Sequence, residues 1–445
     1  MIPRPFTHDL PGTSSVSWHR RFRQTALPLL SDMSGFEQLE RLVVVAAHPD
    51  DETLGAGLIS ADLAGQGWEV EVVILTRGEN SHPGSPTTTA EERAAMRARE
   101  SAIAARLLSP SIRLHPASFA DGGLATEHDA LVTTIVDIVG DGRRTLLLAP
   151  WRHDGHSDHE AAGWAAAAAA VRTGAILAEY PVWMWHWAEP EEFPYASARR
   201  WSTNATVREQ KAAAIAAHRS QIAPLSSEPG DEVLLDGAFL EHFGGADEYF
   251  ILDQPFDDAL DRLHADDDDP WGLDDRWYEH RKAQLLLACL PRERYGRALE
   301  VGCSRGSLST LLSRRAGRVL AVDASEHAVA LARERVPSSV DVAHLRVPDE
   351  WPEDRFDLIV VSELGYFLSP VALERLWVTI AASLEPDGTV VLCHWRGEVR
   401  GWPLDGPQVH ASAEKSGELP PVQARYRDDD VEILVMTREW IATDA

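Results

Sequence analysis

The feature that most constrains this chain is the run Val43-Val44-Val45-Ala46-Ala47, which ends abruptly in His48-Pro49-Asp50-Asp51-Glu52. An unbroken apolar run of this length, rich in valine, reads as a strand buried on both faces, as in a parallel sheet. In open α/β sheets, functional groups gather just beyond the carboxyl ends of such strands. Here that position holds one imidazole and three carboxylates. A second polar cluster, Asp154-Gly155-His156-Ser157-Asp158-His159, follows another strand-like run, Thr145-Leu146-Leu147-Leu148-Ala149-Pro150. Carboxylates crowd helix N-termini for the sake of the helix dipole alone, and a lone histidine is usually a satisfied polar side chain. Two such clusters, each after a buried strand, outweigh that reading and point to a metal site.

Around these clusters strand and helix alternate. Strands are read at 42–47, 69–76, 112–119 and 145–149, and helices at 53–65, 90–108 and 129–139, with a long polar loop at 78–89. An Ala-rich helix follows the second cluster, then an aromatic stretch at 180–187 and a helix at 207–220. After an Asp-rich break the rhythm restarts: a helix at 276–290, strands at 298–301, 319–322, 356–361 and 389–394, helices to about 315 and at 370–384, and a hairpin of 422–426 with 431–437. Repeated βα units predict an α/β protein with two Rossmann-like parallel-sheet domains, and 445 residues exceed one ordinary core. The expected organisation is an irregular surface arm at 1–35, a first domain at 36–252, an acidic linker at 253–268 and a second domain at 269–440. Self-repulsion in Asp266-Asp267-Asp268-Asp269 should keep that linker extended. A calcium loop would need a spacing and a central glycine that are missing.

The net charge of −28 repels nucleic acid and anionic membranes, so neither is an expected partner, while neutral sugars remain open. Arg172 interrupts the Ala-rich 161–177, and alanine is weakly apolar, so a soluble helix is expected there rather than a membrane insertion. Three cysteines make no disulfide framework, and the N-terminus lacks a signal-peptide profile; both suit a cytoplasmic protein. Oligomeric state leaves no mark in the sequence.

Catalytic zinc takes three protein ligands and keeps one position open. His48 and Asp51, three apart where strand turns into helix, can converge on one ion, and His159 can complete the set from a neighbouring strand. Zinc lowers the pKa of its water to about 7. Asp50, between two ligands, is the natural general base, and His156 can polarise the carbonyl or protonate the leaving amine, with Asp158 holding its tautomer.

His48-Pro49-Asp50-Asp51-Glu52-Thr53-Leu54-Gly55, with the later His156-Ser157-Asp158-His159, resembles the signatures of PIG-L/LmbE-type zinc-dependent N-deacetylases. The resemblance covers roughly residues 36–252 and implies hydrolysis of an N-acetyl group, mostly from a glucosamine unit. It implies His48, Asp51 and His159 as ligands, Asp50 as base and His156 as transition-state partner. Asp121, in Asp121-Gly122-Gly123, matches a position that approaches the sugar, and is equally readable as a turn aspartate. Arg97 and Glu100 resemble the family's helical pair, although an i,i+3 surface pair is the simpler reading. Two departures stand out: Ser157 replaces a common proline, loosening the loop of His156, and Leu58 replaces a glycine, altering how closely the helix approaches the sheet.

In the second half, Glu300-Val301-Gly302-Cys303-Ser304-Arg305-Gly306 ends a strand and opens a helix, and Asp323 ends the next strand, placed to accept ribose hydroxyls. The spacing is neither a nicotinamide fingerprint nor a P-loop; Glu300 and Asp323 favour S-adenosylmethionine. Asp269-Pro270-Trp271, Trp277-Tyr278-Glu279, Leu299-Glu300-Val301-Gly302, Phe356-Asp357-Leu358-Ile359-Val360, Ser362-Glu363 and His394-Trp395 together resemble a nodulation protein S-like class I methyltransferase. That resemblance implies Glu300, Gly302, Gly306 and Asp323 at the cofactor, and Glu363, Tyr366 and His394 at the acceptor, with Glu363 or His394 taking the amine's proton. Tyr366 and Trp395 are also readable as core packing, and Trp271 and Tyr278 as a lid. The reading is a bifunctional enzyme: zinc-dependent removal of acetyl from an amino-sugar conjugate, then methyl transfer, in its sharper form to the amine so exposed. Alternatives are one active half with an unrelated acceptor, or a non-enzymatic sugar- or cofactor-binding module.

Overall fold

In the computed structural model, the described residues are 12–33, 35–252, 259–399, 402 and 404–438. The first eleven residues of the expected arm, residues 253–258 of the expected linker and residues 439–440 lie outside them. The chain divides into two compact units, Met1–Phe256 and Asp257–Ala445. No helix among the described residues is long and apolar enough to cross a membrane.

The first unit has strands β1 (Arg41–Ala46), β2 (Glu69–Thr76), β3 (Arg113–Phe119), β4 (Thr145–Pro150), β5 (Ile176–Tyr180), β6 (Ala198–Ser202) and β7 (Asp247–Ile251). They lie in the order β3-β2-β1-β4-β5-β7-β6. The first five are parallel, while β7 runs antiparallel to β5 and β6 antiparallel to β7. The edge is therefore not parallel as expected. Alternate residues of β1 enter opposite cores. Leu42, Val44 and Ala46 join Leu54 and Ile59 of the helix Asp51–Gly65. Val43 and Val45 face the helices His128–Val139 and Ser157–Thr173. The latter is the Ala-rich helix; its alanines are buried, and a Cβ on Gly163 would stand 2.6 Å from Pro150 O. Small side chains thus seat its first turn, with His159, against the end of β4.

The described part of the arm is not irregular. Ser15–Gln24 is helical, and Trp18, 2% exposed, donates from Nε1 to Trp185 O at 3.0 Å and stands edge-on to the Trp185 ring. One aromatic side chain outweighs the polar composition around it. Leu58 faces Ala104, Leu108, Val207 and Ala214, so it packs between helices and does not set the helix–sheet distance. Gly55 does: a Cβ there would stand 2.0 Å from the Tyr180 ring. The same helix breaks at Ala56, and a buried ion pair satisfies the break. Glu248 accepts from Leu58 N (2.7 Å) and Ile59 N (3.0 Å), and Lys211 donates to Leu54 O (2.6 Å) and Glu248 (2.7 Å).

The second unit has β8 (Tyr295–Val301), β9 (Ala316–Asp323), β10 (Val340–His344), β11 (Phe356–Ser362), β12 (Leu384–Trp395), β13 (Val422–Arg427) and β14 (Val431–Thr437), ordered β10-β9-β8-β11-β12-β14-β13. β8 to β12 are parallel; β14 and β13 form the expected antiparallel hairpin on the edge. The helix after the glycine turn is only Ser307–Leu312. Residues Ala259–Asp266, read as extended linker, are helical. Ser325 Oγ donates to Asp261 (2.6 Å), and Arg305 and His327 approach Asp269 and Asp268 at 3.4 and 3.0 Å. The Arg305 guanidinium and these hydrogen bonds offset the self-repulsion that would have kept the segment open.

Candidate active sites

His48 follows β1, Asp51 begins the next helix, and His159 sits in the first turn of Ser157–Thr173. The structure brings all three together. His48 Nδ1 and His159 Nε2 are 3.3 Å apart, His159 Nε2 is 3.3 Å from Asp51 Oδ1, and His48 Nδ1 is 3.5 Å from Asp51 Oδ2. Ligand atoms about 2.0–2.1 Å from a tetrahedral zinc stand about 3.3 Å from one another, so this donor set fits such an ion. The far nitrogen of each imidazole meets carboxylate. His48 Nε2 is 3.2 Å from both Asp121 Oδ1 and Asp158 Oδ2, and His159 Nδ1 is 2.8 Å from Asp154 Oδ2. Metal-binding histidines carry such partners, which fix the ring proton on the side away from the ion. Burial pulls His159 down, but Asp51 and Asp154 outweigh it and hold it at about 9. The nest therefore demands positive charge.

Asp50 lies in the left-handed region, at φ 154°. Its carboxylate is 3.1 Å from Arg97 Nη2, which also donates to Pro49 O at 3.0 Å. Burial pushes Asp50 up to about 6 against the pull of that guanidinium. Arg97 and Glu100 are both buried, and they are not a surface pair. Arg97 aims Asp50, whereas Glu100 accepts from Ser220 N and Oγ at 2.8 and 2.7 Å.

His156 caps its helix: its Nδ1 accepts from Asp158 N at 3.2 Å. That bond leaves Nε2 to carry the proton. Burial, then His159 and His48, push His156 down to about 3. Its ring lies 4.9 Å from that of His48 and 4.8 Å from that of His159, and its ligand atom lies within 4.8 Å of theirs. Asp158 thus fixes His156 through its backbone. Its carboxylate, against expectation, serves His48 and accepts from Gly122 N (2.7 Å) and Leu124 N (3.2 Å). Asp121 is both turn residue and site residue, since its Oδ2 accepts from Asn80 N at 2.8 Å. Asp154, present in the motif but given no role by sequence reasoning, is fully buried and also accepts from Val182, Trp183 and Met184 N at 2.9–3.0 Å. Its signal was its place at the exit of β4, five residues before His159.

In the second unit, Gly302 and Gly306 have φ 81° and 79°, which favours glycine at both. Asp323 accepts from Ser304 N (2.7 Å) and Ser325 N (3.0 Å), one on each oxygen. A carboxylate offers about four lone-pair sites, so two remain for ribose hydroxyls and the residues fit that role. Glu300 points into the core, accepts from Ser309 Oγ at 2.5 Å, and is pushed by burial up to about 8.

Glu363, just past β11 at φ 56°, is the hub of a hydrogen-bonded cluster. Oε1 accepts from Tyr278 Oη (3.2 Å) and Lys282 Nζ (3.1 Å), and Oε2 from Tyr366 Oη and Trp395 N (3.2 Å). Four donors fill the carboxylate. His394 is worse placed as a base: Nε2 accepts from Gly365 N (3.1 Å) and Nδ1 meets His410 Nε2 (3.0 Å). Burial, with Lys282 adding, pushes it down to about 3. Both nitrogens hold the fold, so the expected role of His394 as proton acceptor gives way to one in fixing the Gly365 turn. Tyr366 is buried with its hydroxyl on Glu363, whereas Trp395 is exposed and not core packing. Tyr278 reaches Glu363 and Trp271 stands 6.0 Å from Phe367.

Two α/β sheets, one ending in imidazoles and carboxylates and the other in a glycine turn and acidic strand ends, define a two-domain α/β protein with a site on each sheet. Residues 43–170 match the family model "PIG-L: GlcNAc-PI de-N-acetylase" and residues 255–406 match "Nodulation protein S (NodS)". Residues 43–170 are thus similar to a PIG-L domain and residues 255–406 to NodS, and both similarities indicate an enzyme. Nodulation protein S of Rhizobium tropici is 34% identical over 128 residues, 28% of this chain and 54% of that protein. The chain thus spans little more than half of that relative. N-methyltransferase NodS from Bradyrhizobium japonicum WM9 in complex with S-adenosyl-L-homocysteine is 23% identical, with 40% of this chain and 97% of that chain covered and a TM-score of 0.38. N,N'-diacetylchitobiose deacetylase from Pyrococcus horikoshii is 21% identical, with 46% and 80% covered and a TM-score of 0.35.

Proposed function

We propose that this chain is a bifunctional enzyme that removes acetyl from an N-acetylglucosamine-type conjugate and then methylates an acceptor, in the sharper form the amine just exposed. The observation that carries it is the convergence of His48 Nδ1, Asp51 and His159 Nε2 at 3.3–3.5 Å. These three residues would hold Zn2+, which when bound polarises an amide carbonyl and acidifies water. Asp50, aimed by Arg97, takes the proton of the attacking water. His156, neutral and protonated on Nε2, donates that N–H to the developing oxyanion, and the proton collected by Asp50 passes on to the leaving amine. Asp121, Asp154 and Asp158 hold the two ligand imidazoles in the tautomer that leaves the inward nitrogen free. The family model's description as a GlcNAc-PI de-N-acetylase supports N-acetylglucosamine as the sugar class.

In the second unit, S-adenosylmethionine supplies an electrophilic methyl group when bound. Gly302 and Gly306 shape the turn beside it, Asp323 takes ribose hydroxyls, and buried Glu300 holds the turn from beneath through Ser309. Tyr366 and Glu363 line the acceptor side.

The test is a panel of N-acetylglucosamine conjugates incubated with the full chain, with and without S-adenosylmethionine, and weighed. Loss of one acetyl without the cofactor, and a further gain of one methyl with it, supports the reading. If His48→Ala leaves acetyl loss unchanged, the hydrolytic site is wrong. If that variant methylates the acetylated conjugate as well as wild type does, the two steps are unconnected.

A further inference from the structure

Glu363 carries four donors and His394 has no free nitrogen, so neither residue read as the acceptor's base is available. Yet a methyl acceptor that is an amine arrives largely as its ammonium near neutral pH and must shed a proton before it can act as a nucleophile. One carboxylate beside Glu363 is less occupied. Glu279, in the first turn of the helix Trp277–Cys289, is buried on most sides and lies 2.6 Å from Lys282 Nζ. Among the described residues, Lys282 is its one hydrogen-bonding partner. Lys282 is buried, reaches Glu363 at 3.1 Å from the same ammonium, and stands 5.2 Å over the Tyr278 ring.

The charge balance of this cluster is informative. Two carboxylates and one ammonium leave the buried trio one negative charge in excess beside the ends of β11 and β12, the exposed Arg276 being the further cation near it. The groups facing Glu279 are Lys282 and Arg276 on or next to its own helix, Glu363 past β11, and the neutral Tyr278 alongside. Cys393 of β12 and Tyr366 complete the wall around Lys282 and Glu363. Without Lys282, two carboxylates would compete in one buried site and one would take up a proton. Lys282 pairs with both carboxylates but answers only one of them within the buried trio. An incoming ammonium answers the other; a neutral hydroxyl or an acetylated nitrogen does not.

We propose that Glu279, poised by Lys282, accepts the proton of the methyl acceptor and that the Glu279–Lys282–Glu363 cluster selects a cationic amine. This inference rests on the methyl-transfer reading above. In the proton step an N–H bond of the ammonium breaks, the proton joins a Glu279 oxygen, and the electron pair stays on nitrogen, with no redox partner required. Burial raises Glu279, with Glu363 adding, and Lys282, then Arg276, pull it back down.

The experiment uses the full chain as wild type, Glu279→Gln, Lys282→Met and Lys282→Arg. Methyl transfer to a glucosamine conjugate is followed from about pH 6 to 9, the range in which a tuned general base titrates. Binding of S-adenosyl-L-homocysteine, of the amine and of its N-acetylated form is measured calorimetrically on the same samples. Glu279→Gln should bind S-adenosyl-L-homocysteine as wild type does, lose about 100-fold or more in kcat/KM, and lose most of the wild-type preference for amine over acetylated form. Lys282→Met should move the acid limb of the pH profile upward, and Lys282→Arg should move it back. A Glu279→Gln protein that methylates the amine at the wild-type rate, with the wild-type profile, overturns the inference and leaves the methyl-transfer reading intact. Wild-type protein that binds no S-adenosyl-L-homocysteine, or methylates no amine, overturns both.

Discussion

Asp154→Asn is the sharpest test of the proposed metal site. Asp154 Oδ1 accepts from Val182 and Met184 N, at 2.9 and 3.0 Å, and Oδ2 accepts from Trp183 N and His159 Nδ1, at 2.9 and 2.8 Å. An asparagine must place its NH2 at one of these positions. At Oδ1 it would confront two backbone donors, so it settles at Oδ2, where it confronts one. There it donates to His159 Nδ1, and the imidazole proton moves to Nε2, the atom that faces His48 and Asp51. A protonated Nε2 cannot bind a metal. Replacing such a partner costs about 10–100-fold in metal affinity, or about 1.4–2.7 kcal/mol. The stranded Trp183 N–H costs about 1–3 kcal/mol of fold stability, lowering Tm by about 2–12 °C for a domain of this size. Zinc affinity is measured by competition with a chromophoric chelator, and Tm on the metal-free protein. An Asp154→Asn protein that holds zinc as tightly as wild type would refute the tautomer argument even if its Tm fell.

Three further outcomes follow from the same geometry. Arg97→Met leaves Asp50 buried without its counter-charge; breaking such a pair costs about 3–5 kcal/mol, and acetyl release should fall with it, read by calorimetry and by product mass. Trp18→Ala should cost about 3–5 kcal/mol in the stability of the first unit, measured by denaturant titration, while an arm without structure would lose nothing. Glu300 is held up to about 8 when folded against an ordinary value near 4.5, so between those values the native state keeps a proton that the unfolded chain releases. Stability of the second unit therefore falls as pH rises from about 4.5 to about 8 and levels above it; Glu300→Gln should flatten that slope in Tm scans, and an unchanged slope would remove Glu300 as its source.

The central strands were legible because burial on both faces leaves an unbroken apolar run, as in β1, β4 and β11. The edge strands were not. β6 reads Ala-Arg-Arg-Trp-Ser and β7 Asp-Glu-Tyr-Phe-Ile, and a buried Glu248 looks in sequence like any surface glutamate. Its burial depends on Lys211, which comes from a helix more than thirty residues away in sequence. Arg97 and Glu100 misled for the same reason: a charged side chain whose partner is distant in the chain carries the signature of solvent. The site motifs suffered less, because His48, Asp51, His156 and His159 each lie no more than nine residues past a strand end that periodicity reveals. The roles of Asp158 and His394 needed coordinates. What decides them is which atom each nitrogen or oxygen already bonds, and spacing does not encode that.

The two sheets carry the same strand order, with β1 beside β4 and β8 beside β11 at the point where the order reverses. Chains leave such a pair in opposite directions and open a crevice at the carboxyl ends. In the first unit, His48 leaves β1 and the 154–159 cluster leaves β4, so the crevice receives imidazole from both walls. In the second, the Gly302 turn leaves β8 and Glu363 leaves β11, so one wall is bare backbone and the other a carboxylate. The difference lies in the first residues after the first strand. A helix that begins at once with Asp51 presents ligand atoms at the strand end, whereas a glycine turn at positive φ opens room for a ligand to lie against the backbone. The same topology therefore fixes where chemistry happens in both units, and a few residues at each strand exit decide which chemistry it is.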